Sequence, residues 1–377
     1  MPDPAGPDRP GSPARSAPPA VPAVLAWPVG TATGVGSMPG TDVRAALGVA
    51  LDEVPDLPFV PELPARGPGA EMTGRALALL PDVGAQWGPT GWTVADSRGR
   101  DVRRAQSYLA EDMDVVEEML DGWTGSVKAQ LCGPWTLAAT LELRNGRRAL
   151  ADPGAVRDLG QALAEAAAGH AAELRARVPG AQVLLQLDEP MLPMVLRGEL
   201  PTPSGLATIA AVDEPVVEQS LAAAVAAVTA AGATALVHVC AGQPPVPLLA
   251  RSGFAALSLD ATLLGQVDDD AIAEAVESGV RLLLGLVPST GASSTGASTG
   301  ALPDGPDAAR DVAAPARALW RRTGLESGRL GTVAVTPTCG LAGADPGSAR
   351  DALRLSRAAA RTLVDDPEEL EMDQARG

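Results

Sequence analysis

Residues 233–240 read ATALVHVC. Apart from Thr234 and His238, every residue in this stretch is apolar. A short run that is apolar on both alternating faces suits a strand of a parallel sheet, buried from both sides. A turn follows, and then a helix-like stretch near 244–251. The segment therefore predicts one βα unit.

The same alternation extends in both directions. TATGVGS (31–37), PFVPEL (58–63), SVKAQLCGP (126–134) and QVLLQLDEP (182–190) precede it, while FAALSLD (254–260), VRLLLGLV (280–287) and TVAVTPTCG (332–340) follow. Helical patterns separate these runs, near 69–80, 154–177, 213–230, 267–277 and 346–364. Eight βα units in roughly 340 residues predict an α/β fold made of one (β/α)8 TIM barrel. A doubly wound sheet with a second domain is the alternative. The barrel is placed at residues 29–366, after a disordered Pro-rich leader (1–28) and before a tail (367–377). Residues 288–307, PSTGASSTGASTGALPDGPD, read as a flexible low-complexity loop after the seventh strand, either a tolerated insertion or a lid.

Composition narrows the chemistry. The chain has 377 residues, a formal net charge of −17, and 46% hydrophobic but only 2% aromatic residues. An acidic chain disfavours a nucleic-acid partner, whose phosphates need clustered basic side chains. Three cysteines make no disulfide framework and fit a reducing, cytoplasmic setting. No apolar run of about 18 residues is free of breakers, so no membrane span is expected. The partners expected are small molecules.

The candidate chemistry lies at strand ends. Residues i and i+2 of a strand point the same way, so His238 and Cys240 project together at the C-terminal end of the fifth strand. Barrel enzymes place their chemistry at that end. Asp260 ends the sixth strand and Cys339 follows the eighth. An imidazole, two thiols and a carboxylate suit a tetrahedral Zn²⁺. The plain reading of His-x-Cys is a buried pair, and Asp260 alone reads equally as a cap. Cys132 reads as a packed small residue and His170 as a mid-helix residue without chemistry. Asp188 and Glu62, ending the fourth and second strands, are candidates to hold an ammonium group or to serve as caps. Gly34, Gly36 and Ser37 form a bend whose N–H groups suit a carboxylate; this is not a dinucleotide fingerprint.

TGVGSMPGT, CGPWT, QLDEP, HVC, SLD and TPTCGL, in this order and at these strand positions, resemble the catalytic C-terminal barrel of the cobalamin-independent methionine synthase family. The resemblance covers about residues 30–365 and is strongest to the short, single-barrel members. It implies a zinc-dependent S-methyltransferase of methionine biosynthesis, forming methionine from homocysteine and a 5-methyltetrahydrofolate-type donor. It further implies zinc ligands at His238, Cys240, Asp260 and Cys339, and homocysteine-binding residues at Val35, Gly36, Ser37, Glu62 and Asp188. The family usually has Glu at Asp260. Its proton-donor His, in the loop after the seventh strand, has no counterpart here, which leaves the catalytic acid unassigned. Its folate-stacking Trp is also missing, because TLAATLEL occupies that place. The alternatives are a related barrel methyltransferase using a corrinoid-protein donor or another thiol, and a non-catalytic zinc-binding paralogue. A barrel of the uroporphyrinogen decarboxylase type needs neither the His nor the two Cys.

Overall fold

A computed structural model of the chain describes residues 27–289 and 302–365. The expected leader up to residue 26, most of the 288–307 loop, residue 366 and the 367–377 tail lie outside the described residues.

Among the described residues there are eight strands: β1 (Gly84–Gly88), β2 (Gly91–Ala95), β3 (Ser126–Cys132), β4 (Gln182–Asp188), β5 (Thr234–Val239), β6 (Ala256–Asp260), β7 (Arg281–Val287) and β8 (Ala334–Pro337). β3 to β8 form one parallel sheet in sequential order. Six of the eight expected strands are thus regular. The other two, 31–37 and 58–63, are extended segments joined by single parallel bridges. Ala32 bridges Val335, Ser37 bridges Glu62, and Phe59 bridges Lys128. These three bridges carry the ring from β8 back to β3 and complete a (β/α)8 barrel. TATGVGS and PFVPEL carry two glycines and two prolines respectively. Proline cannot donate to a ladder, and glycine weakens a strand interior, so a continuous ladder does not form there. The hairpin of β1 and β2, with Gly84 opposite Ala95, and the long helix Arg100–Met119 were not among the expected elements.

Helix starts follow local chemistry. Asp42 accepts from the Ala45 N–H at 3.1 Å to cap Val43–Glu53. Asp152 accepts from the N–H groups of Gly154 and Ala155 to cap Pro153–Arg177, with Pro153 at the first helical position. Each such cap contributes about 1 kcal/mol.

Alternation along the strands divides the interior. Val183, Leu185 and Leu187 of β4, Val237 of β5 and Leu257 of β6 join the large core between sheet and helices. The opposite parity builds a second, smaller cluster inside the ring: Leu184, Leu236, Ala256, Leu283 and Ala334, closed by Trp27. Trp27 precedes the expected barrel boundary by two residues, and its ring is buried at 5.3 Å from the Arg281 guanidinium. Above this plug the inward positions turn polar, because Gln186 and Asp188 follow Leu184, and His238 follows Leu236. Asp188 is in register with His238, and His238 with Ser258. Among the described residues, no helix is long and apolar enough to cross a membrane.

Candidate metal centre and substrate chamber

His238, the penultimate residue of β5, faces inward, and its Nδ1 lies 2.9 Å from Ser258 Oγ on β6. That contact fixes the ring plane and turns Nε2 away from the strand. Nε2 is buried and has no hydrogen-bond partner. Cys240, one pleat further on, lies with its Sγ 3.2 Å from Cys339 Sγ. Neither thiol is in a disulfide. Ligand atoms of His238, Cys240 and Cys339 all lie within 4.8 Å of one another. Zinc–ligand bonds are about 2.0–2.3 Å, so one ion can reach all three. Hydrogen bonding with Cys240 is the largest influence on the Cys339 thiol and, with His238 nearby, draws its pKa down to about 4. A thiol held as thiolate is the form that binds metal.

Asp260 stands at the edge of this group rather than within it. Its Oδ1 accepts from the Thr262 N–H at 2.9 Å and from Thr262 Oγ1 at 2.6 Å, the cap that its strand-end position suggested. Its Oδ2 is buried without a partner. Burial raises the Asp260 pKa, with Thr262 opposing, and both His238 and Cys339 are close enough to influence it. A buried imidazole nitrogen and a buried carboxylate oxygen, both unpartnered, beside two thiols form a donor set that fits zinc.

The expected amino-acid residues gather on the other side of the mouth. Glu62 N donates to Gly36 O at 3.1 Å, and Met38 N to Glu62 O at 2.8 Å, so the Val35–Ser37 turn and Glu62 form one unit. Gly36 is required there, because an added Cβ would lie 2.6 Å from the Gln130 side chain. The turn is also locked to the metal side: Leu341 N donates to Ser37 O at 2.9 Å, and a Cβ on Gly340 would overlap Ser37 Oγ. Asp188 accepts from Gln186 Nε2 at 2.7 Å. Burial raises Asp188 to about 7 and also raises Glu62. Arg75 Nε lies 3.4 Å from Glu62 Oε1, while Arg75 and Arg66 both pair with the buried Asp112 at 2.6 and 2.7 Å.

Sequence reading missed three participants. Lys128, the single lysine of the chain, is fully buried on β3 beneath the chamber. A lone lysine inside an apolar strand was the available signal. Glu189 points away from Asp188 and accepts from the Trp135 and Thr136 N–H groups at 2.9 and 2.7 Å, joining QLDEP to CGPWT. Asp112 supports Glu62 through Arg75 from a helix that was not expected. His170 is buried in Pro153–Arg177 and lowered to about 4, chiefly by burial, and Cys132 is buried with its thiol pushed up by burial. A groove of about 1060 Å³ runs outside the barrel between Pro153–Arg177 and Glu214–Ala230; none of the metal donors lines it.

Comparison with known proteins agrees with the fold. The chain is similar to a B12-independent methionine synthase from Shewanella sp. W3-18-1, solved in complex with selenomethionine. The TM-score is 0.59 at 14% identity, covering 92% of this chain and 100% of that one. At that identity the likeness shows the fold. A GH5_18 protein from Streptomyces cattleya, in complex with GlcNAc, overlaps more loosely, with a TM-score of 0.46 and 16% identity over 89% of this chain and 81% of that one. No curated protein matches the sequence. The family profile described as cobalamin-independent synthase, catalytic domain, matches residues 106–362. With that match spanning most of the described barrel, the chain belongs to the cobalamin-independent synthase catalytic-domain family.

Proposed function

We propose that this protein is a zinc-dependent S-methyltransferase that converts homocysteine to methionine. The observation that carries the reading is the convergence of His238, Cys240 and Cys339 within 4.8 Å at the strand mouth, facing the chamber of Glu62, Asp188 and the Val35–Ser37 turn. His238, Cys240 and Cys339 would hold the metal, with the unpartnered Asp260 Oδ2 as the fourth donor. Bound there, zinc supplies the positive charge that keeps a substrate thiol in its thiolate form at neutral pH.

The chain's own residues do the rest. Ser258 orients His238 through Nδ1. Glu62 and Asp188 accept hydrogen bonds from the substrate ammonium, and the Gly36–Ser37 turn holds its carboxylate. The substrate sulfur is thereby aimed at the mouth, where the methyl donor arrives. A sulfur–carbon bond forms as the donor–methyl bond breaks, and the electron pair leaves with the donor.

The donor is best read from two departures. Thr140 stands within the stretch where the family resemblance places a stacking Trp, and residues 288–307 contain no His. Both features support a donor that needs neither aromatic stacking nor that acid, so a corrinoid-bound methyl group is the second reading. The test is methionine formation from homocysteine, offered with mono- and polyglutamyl methyltetrahydrofolate and with methylcobalamin. About one zinc per chain together with turnover from one donor is the expected result. Protein that holds zinc but turns over none of the donors is a non-catalytic zinc-binding paralogue. Protein that binds no zinc overturns the site itself.

A further inference from the structure

Lys128 is 0% exposed, in a strand whose neighbours Val127 and Ala129 are apolar. Burying an ammonium is costly unless it is paired and hydrogen-bonded, so its presence calls for a specific role. Its Nζ donates to the Val35 carbonyl at 2.7 Å and lies 3.4 Å from Gln130 Oε1. Gln186 Nε2 donates to the same Val35 oxygen at 2.9 Å. Two donors, one fully charged, thus converge on a single carbonyl.

The peptide that carries this carbonyl also carries the Gly36 N–H. In a trans peptide the N–H points opposite the C=O, so the Gly36 N–H faces away from Lys128. Among the described residues it has no acceptor, although Gly36 O is engaged by Glu62 N at 3.1 Å. Charge placed on one end of a peptide polarises it and strengthens the donor at the other end.

We propose that Lys128 is a positioning residue for the substrate carboxylate: with Gln186 it fixes and polarises the Val35–Gly36 peptide, so that the Gly36 N–H offers a strengthened donor to that group. This rests on the reading of the Val35–Ser37 turn as the carboxylate half of the amino-acid subsite. Burial lowers the Lys128 pKa to about 8 against the opposing pull of Asp188 and Glu62, which leaves it charged at pH 7.

The test compares two thiols by calorimetric titration of the full chain, with zinc content measured on the same samples. One is L-homocysteine; the other is 3-aminopropanethiol, which lacks the carboxylate. Wild type is expected to prefer homocysteine. Lys128→Met is expected to weaken homocysteine binding about tenfold or more, and to leave 3-aminopropanethiol within about twofold. Lys128→Gln, which keeps a donor without the charge, is expected to show an intermediate preference, and it carries the test if Lys128→Met does not fold. Full wild-type preference in either variant, or equal loss for both thiols, overturns the proposal. If wild type itself shows no preference, the subsite assignment falls, and the role of Lys128 falls with it.

Discussion

The two halves of the barrel wall are built differently. From β3 to β8 an unbroken parallel ladder sets each side chain by strand period and register, and it presents His238 and Asp260, with Cys240 one residue past β5. From 31 to 63 the wall hangs on single bridges and a few backbone hydrogen bonds, and side chains reaching across add to its hold: Lys128 and Gln186 to Val35 O, Gln130 to Val60 O. The family match begins at residue 106 and so spans the ladder half and leaves out the bridged one. A regular ladder suits donors that must meet within a few ångströms. A wall held by side chains ties the shape of a chamber to the residues lining it.

Substitutions can break this contrast. On the ladder side, Cys240→Ser should lower zinc from about one per chain to near zero and cut methionine formation about 100-fold or more, read by metal analysis and product assay. Fold and melting should change far less. On the bridged side, Glu62→Gln should keep the metal and raise the KM for homocysteine about tenfold or more. Full zinc with wild-type KM would remove Glu62 from the chamber. Gly36→Ala pushes a methyl group against Gln130 and should cost about 1–3 kcal/mol, measured from the denaturation midpoint; no change would show that the bridged wall shifts freely.

The smallest effect lies away from both walls. Burial holds the His170 pKa near 4, below the ordinary 6.5. The unfolded chain therefore takes up a proton that the folded one resists. Stability from this residue is complete above pH 6.5 and is lost as pH falls toward about 4, by at most about 3 kcal/mol. His170→Gln should flatten urea midpoints across that window and leave methyl transfer intact.

Legibility followed the same division. The convergence of His238, Cys240 and Cys339 was readable because strand period and strand ends are local properties of sequence. The barrel was readable for the same reason, from eight mostly apolar runs, most of them separated by helical patterns. Two of those runs lack ladder structure, since glycine and proline within them act against pairing that only the tertiary fold then supplies. The Arg75–Asp112 support of Glu62 and the Lys128 contact join residues 37 and 93 positions apart. No local pattern encodes such distances. Of the two readings of Asp260, the cap is present, made by Oδ1 to Thr262, and Oδ2 has no partner.

The apolar plug of Trp27, Leu184, Leu236 and their neighbours fills the barrel at its base, so the polar residues that follow on the same strands, Gln186, Asp188 and His238, rest on an apolar floor. Such a floor removes water from one side of every charged group above it, which is why burial raises the Asp188 carboxyl to about 7.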